Sequence, residues 1–165
     1  MNPADLVTPQ LVKYCSSMNT IVICGYTKTG KVIIAKKLAE QLNRPLFISD
    51  DYQHLDPKNS LDIFMGDILK YYSQQIPIVV EGILCFRLLR RGIKESCFFP
   101  DLILKTNCNE ATIRYFYNKD GEGHKVERAL AFNKGLNTIW TEYQDLLATN
   151  PWLKRPYYLE LNTSL

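Results

Sequence analysis

The stretch ICGYTKTGKVIIAKK, Ile23 to Lys37, decides how the rest of the chain is read. Gly25, Gly30 and Lys31 fill the fixed positions of G-x-x-x-x-G-K. The β-branched run TIVICG, Thr20 to Gly25, precedes them without polar alternation, as expected of a strand buried on both faces. Downstream, the segment from Lys31 to Asn43 places Ile34, Ala35, Leu38 and Leu42 on one helical face and stops at NRP. Between strand and helix the glycines let the backbone curl until successive N–H groups point at one anion, and the helix adds the positive end of its dipole. The candidate phosphate cradle is therefore Gly25, Tyr26, Thr27, Lys28, Thr29, Gly30, Lys31 and Val32, with Lys31 as a point charge for the outer phosphates. Val32 occupies the position at which a Ser or Thr hydroxyl usually meets Mg²⁺.

Working outward, the chain alternates strand and helix patterns. A short amphipathic piece lies near Gln10 to Ser16, within an N-terminal extension spanning residues 1–18. LFIS (Leu46 to Ser49), IPIVVEGI (Ile76 to Ile83), DLILKTN (Asp101 to Asn107) and PYYLELN (Pro156 to Asn162) read as the later strands. Between them, Ser60 is a candidate N-cap for a helix carrying Leu61, Phe64, Met65, Ile68, Leu69 and Tyr72. A shorter helix, Phe86 to Arg91, is expected to end at Gly92, and Asn109 to cap one running to about Tyr117. One long amphipathic helix then runs from Val126 to about Ala148. Alternation of this kind implies parallel pairing with right-handed crossovers, hence a single domain built as a three-layer α/β/α sandwich on a five-stranded parallel sheet. Ligands of such sheets bind beyond the carboxyl ends of the strands.

Composition narrows the function classes. The 165 residues carry 20 Lys and Arg against 17 Asp and Glu, a net charge of +3, which suits an enzyme handling anions but lacks the basic excess of a nucleic-acid binder. Five cysteines without a C-x-x-C pair, and two widely separated histidines, argue against a disulfide framework or a zinc site. The N-terminus shows no basic and apolar leader and no run approaches bilayer length, so the sequence reads as a cytoplasmic protein without membrane contact.

Acids and cations recur where this architecture gathers strand ends. ISDDY puts Asp50 and Asp51 just beyond the second strand, and VVEG puts Glu81 at the end of the third. One carboxylate there could hold a phosphate-bound metal while another accepts the proton of an attacking hydroxyl. An unpaired acid in so apolar a strand is costly, which marks Glu81. Arg114, Lys119, Lys125 and Arg128 surround the polar segment Asn118 to Lys125, a candidate lid over residues 114–128. His54, after DDYQ, is a weaker candidate for substrate contact, and His124 reads as a surface residue.

GYTKTGK, SDDY, VEGIL and TNCNEATIRYFYNKDGEGHKVER, in this order from Thr20 to Arg128, resemble the P-loop kinases of small molecules, most closely the uridine kinase and nicotinamide riboside kinase group. That resemblance implies that Lys31 and the loop amides bind ATP, and that Asp51, rather than Asp50, takes the acceptor's proton. It also implies that Asp51 and Glu81 serve Mg²⁺, that Lys125 and Arg128 contact phosphates, and that Arg114 lies near adenine. The implied acceptor is a nucleoside or riboside. DDY is also similar to the polynucleotide 5′-hydroxyl kinases, although Gln53 and His54 stand where those carry an arginine. Val32 opens a further reading, a catalytically weak nucleotide-binding regulator.

Overall fold

The computed structural model describes residues 2–53 and 58–164. A 3₁₀ turn (Pro3–Leu6) and helix α1 (Pro9–Ser16) precede β1 (Thr20–Gly25) and α2 (Lys31–Leu42). β2 (Leu46–Ile48), the short α3 (Asp50–Gln53), α4 (Ser60–Tyr72), β3 (Ile78–Glu81) and α5 (Cys85–Lys94) follow. The chain closes with β4 (Leu102–Asn107), α6 (Glu110–Lys119), a 3₁₀ turn (Gly123–Lys125), α7 (Val126–Thr149) and β5 (Tyr157–Asn162). The five strands pair in parallel in the order β2-β3-β1-β4-β5. The chain builds β1, β2 and β3 on one side of the sheet and crosses to the other for β4, so the crevice of such a sheet opens above β1.

Alternating residues of the same strands feed opposite layers, which is why these strands are apolar throughout. Ile21, Ile23, Val79, Leu102 and Leu104 pack with α1 and α2, in a core that includes Leu11, Cys15, Ile34 and Leu38. Val22, Cys24, Val80 and Ile103 pack with α4, α5 and α7, beneath Phe64, Phe86, Leu88 and Trp140. The three layers expected from the sequence are therefore present. The N-terminal segment takes part in them: Val7, Leu11 and Cys15 are core residues, and Lys37 Nζ donates to the Ala4 carbonyl at 2.8 Å. Among the described residues no helix is long and apolar enough to cross a membrane.

Two boundaries differ from the sequence reading. α5 runs through Gly92 to Lys94 rather than stopping there. A Cβ at Gly92 would lie 2.8 Å from the Phe98 Cβ and carbonyl oxygen, so this glycine serves close packing, and the chain turns at Ser96 with φ 52°. α4 starts at Ser60 itself, with Asn59 in the N-cap position.

Gly82, directly after β3, has φ +133°, and a Cβ there would fall 1.8 Å from Ser49 Oγ and 2.6 Å from Ser49 Cβ. Gly82→Ala adds backbone strain to a collision between two segments of the site, so a loss of about 3 kcal/mol is expected. Thermal unfolding would show it as a melting temperature lower by roughly 6–12 °C. An unchanged melting temperature would refute the contact.

Candidate active site

β1 can leave the sheet towards the loop only through a glycine. A Cβ at Gly25, whose φ is +155°, would sit 2.0 Å from Thr106 Oγ1 on β4. Thr106 Oγ1 instead lies 2.7 Å from the Thr29 hydroxyl, which donates to the Tyr26 carbonyl at 2.8 Å and pegs the loop to the sheet. Lys28 and Gly30 adopt left-handed φ values of 58° and 75°. Gly30 occupies the N-cap of α2, and Lys31 opens the helix. The Lys31 side chain turns inward and is 7% exposed, its ammonium donating to the Tyr26 carbonyl. Burial pulls its pKa below the ordinary lysine value, against the opposing attraction of Glu81.

A cavity of about 320 Å³ opens over this loop, lined by Thr27 to Ile33 together with Asp50, Glu81, Ile83 and Tyr117. Glu81 is held there by register: it is the last residue of β3, opposite Ile23 of β1 and Ile48 of β2. Only 2% of it is exposed, and its Oε2 has no hydrogen-bond partner among the described residues. Burial pushes its carboxyl up to about 7, with Lys31 pulling the other way and Asp50 and Asp51 adding to the rise. Asp50 and Asp51 form the exposed first turn of α3. That turn is tied down at both ends, by the Ser49 N–H donating to the Glu81 carbonyl at 2.8 Å and by the Tyr52 hydroxyl donating to Asp67 at 2.8 Å. Of the two aspartates, Asp50 lines the cavity.

Because the folded state raises the Glu81 pKa, it binds this proton more tightly than the unfolded chain does. Stability should therefore fall as pH rises from about 4.5 through 7, and Glu81→Gln should abolish that part of the profile. Parallel melts of parent and variant between pH 5 and 8 measure it, and superimposable profiles would contradict the burial of an unpartnered carboxyl.

Among the described residues, no three His, Cys, Asp or Glu gather into a metal cage. The orphaned Glu81 oxygen fits a different kind of site, one in which Mg²⁺ rests on phosphate oxygens, keeps several waters and takes one or two carboxylates. Val32 lines the same cavity and offers it no oxygen.

The lid cations divide into two groups. Lys125 and Arg128 line a second cavity of about 520 Å³ that shares Thr27 and Tyr117 with the first. Lys28 pairs with Asp120 at 2.7 Å and lies 5.1 Å from the Tyr117 ring centroid, which ties the end of α6 to the loop. Lys125 also approaches Glu122, at 3.6 Å. Arg114, expected near the nucleotide, is instead clamped on the exposed face of α6 between Glu110 and Glu127, each at 2.7 Å. His54 lies outside the described residues.

Two contributors were not foreseen. Asn133 of α7, 6% exposed, accepts the Thr27 backbone N–H at 3.1 Å through Oδ1, while its Nδ2 is buried without a partner among the described residues. Lys105 of β4, 5% exposed, donates to Asn107 at 2.7 Å and sits 5.0 Å from the centroid of the Tyr26 ring, whose hydroxyl donates to Asn137 at 3.0 Å. Each is a polar residue interrupting an apolar stripe, Asn133 between Ala129 and Leu136, Lys105 within LILKTN. That interruption was the available signal.

No family model matches the sequence, and no curated protein sequence matches it. Solved structures do. The YorR protein of Bacillus subtilis, in complex with phosphorylated GDP, is 12% identical with a TM-score of 0.53, over 87% of this chain and 85% of its own. Shikimate kinase from Acinetobacter baumannii, in complex with shikimate, is 14% identical with a TM-score of 0.53, over 92% and 88%. A putative kinase from Chloroflexus aurantiacus is 13% identical with a TM-score of 0.54, over 88% of each chain. At these identities the likeness establishes the fold alone, an α/β fold shared with these structures.

Proposed function

We propose that the protein is an ATP-dependent phosphotransferase that moves the γ-phosphoryl group of ATP to a hydroxyl of a small molecule. A nucleoside or riboside is the class that the SDDY and VEGIL motifs resemble. The observation that carries the reading is that the loop residues Thr27 to Val32, with Lys31 among them, line one cavity together with Asp50 and Glu81 at the ends of β1 and β3.

In the reaction the acceptor oxygen bonds to the γ-phosphorus, the bond from that phosphorus to the bridging oxygen of ADP breaks, and the hydroxyl proton passes to a carboxylate. We assign that proton to Asp50. The loop amides and Lys31 hold the phosphates in line, and Lys125 and Arg128 face the charge that spreads over the transferring group. Glu81 is the carboxylate that would hold Mg²⁺, directly or through water; the ion, when bound, neutralises charge on the β- and γ-phosphate oxygens.

Val32→Thr restores a hydroxyl at the cavity wall. It should tighten the apparent Mg²⁺ affinity about 10-fold, measured as the Mg²⁺ dependence of transfer at fixed ATP. An unchanged dependence would mean that the ion does not approach this position.

The function itself is tested by a transfer screen with labelled ATP and a divalent ion against nucleosides, nucleotides, riboside vitamins and 5′-hydroxyl oligonucleotides. Divalent-dependent transfer to a small molecule is expected. Transfer to oligonucleotides alone would assign a polynucleotide kinase. ATP binding without transfer to any acceptor would favour a nucleotide-binding regulator, the reading to which the hydroxyl-free Val32 lends support. Failure to bind ATP would overturn all three.

A further inference from the structure

A third cavity, of about 200 Å³, lies beside the candidate phosphate cavity, Ile83 being common to the walls of both. Ile83, Phe132 and Leu136 give it apolar walls, Gln53 and the buried Ser60 add polar groups, and Arg87 is the one charged residue of its described lining. Gln53 lies three residues after Asp50 on α3, and residues at that spacing share a helix face. Asp50 lines the phosphate cavity and Gln53 this one, so the short helix α3 borders both, and Arg87 lies on the wall of this one.

Arg87 differs from its neighbours. Arg90 pairs with Glu142 at 2.8 Å, and Arg91 pairs with Asp62 and with Glu95. Arg87 has no carboxylate within ion-pair distance among the described residues, and the first turn of α5, which carries it, contains no acid. A guanidinium presents a planar fork of donors that matches a carboxylate or a phosphate with two parallel hydrogen bonds. Arg87 is exposed to solvent at the cavity wall, so its fork of donors is open to an anion.

We infer that this cavity is the acceptor subsite and that the acceptor carries a carboxylate or a phosphate ester, recognised by Arg87, on the part of the molecule remote from the reacting hydroxyl. The inference rests on the phosphotransferase reading and sharpens its substrate class: a neutral nucleoside or sugar leaves the guanidinium unmatched, and an acidic one does not. The step is the transfer already written, with the anion taking no part in bond making.

Calorimetric titration tests it with two matched pairs, D-gluconate against D-glucose and D-ribose 5-phosphate against D-ribose. Each is titrated into the whole protein, with and without a non-hydrolysable ATP analogue. The expected result is that at least one anion binds about 10- to 100-fold tighter than its neutral partner, that Arg87→Gln removes the difference, and that Arg87→Lys keeps part of it. The gluconate arm identifies a carboxylate site and the ribose 5-phosphate arm a phosphate site. Equal binding within both pairs, or a preference that survives Arg87→Gln, overturns the inference. A preference lost in Arg87→Gln by a protein that binds no ATP would instead retain the anion site and overturn the phosphotransferase reading, so the two fail separately.

Discussion

Replacing Asp50 by asparagine is expected to lower the rate of phosphoryl transfer by about 10²- to 10⁴-fold, the range for loss of a positioned general base. Asparagine keeps the size and the hydrogen-bonding reach of the aspartate but cannot take the hydroxyl proton. ATP affinity should hardly change, because the loop and Lys31 carry it. Asp51→Asn is the control that gives the experiment its meaning. Both aspartates are exposed in the first turn of α3, but Asp50 is the one on the cavity wall, so the Asp51 variant should lose less than a factor of about 10. If the two variants exchange these outcomes, the base is Asp51, as the family resemblance implies. If neither loses rate, proton transfer does not depend on this turn.

Lys31→Ala is expected to reduce kcat/KM by about 10³-fold, since on the proposed reading it deletes the cation for the outer phosphates, a side chain that is itself buried. Its effect on folding should be small by comparison. The ammonium is already buried, which lowers its pKa, and it donates to the Tyr26 carbonyl and the Thr29 hydroxyl of its own loop. The variant should also reveal the electrostatic link to Glu81. Lys31 now holds the Glu81 carboxyl down against desolvation, so without it the Glu81 titration should move above its present value of about 7. A variant that binds and turns over ATP like the parent would remove the cradle assignment; one that loses activity without moving the Glu81 titration would separate the phosphate role from the charge coupling.

Much of this site was legible because its signals are local. A strand, two glycines, a lysine and a helix follow one another within Thr20 to Leu42, and backbone geometry alone makes a loop of that sequence. Glu81 could be read because an acid at the end of an apolar strand demands a reason. The order of strands and helices was equally accessible, since a buried parallel strand and an amphipathic helix leave different periodicities. What escaped depends on contacts between segments distant in sequence. Which of Asp50 and Asp51 lines the cavity depends on how α3 leaves β2: Asp50 does, although both are exposed. Gly92 looked like a helix stop, yet its function is to let Phe98 approach. Arg114 was grouped with the lid cations although Glu110, one helical turn earlier, was visible as its partner; Glu127 was not, because only the fold brings α7 beside α6.

α7 joins these parts mechanically. Its 24 residues form a rod of about 36 Å. Near its start, Arg128 lies on the lid cavity; two turns on from Val126, Asn133 grips the Thr27 amide; two turns further, Trp140 is wedged against Phe86 with a centroid separation of 6.0 Å. The rod thus holds the loop about a third of the way along its length, and its later turns are packed in the core. A tilt of the rod that displaced Arg128 would load the Asn133–Thr27 hydrogen bond as well, so the cavity beside Arg128 and the loop after β1 share one support.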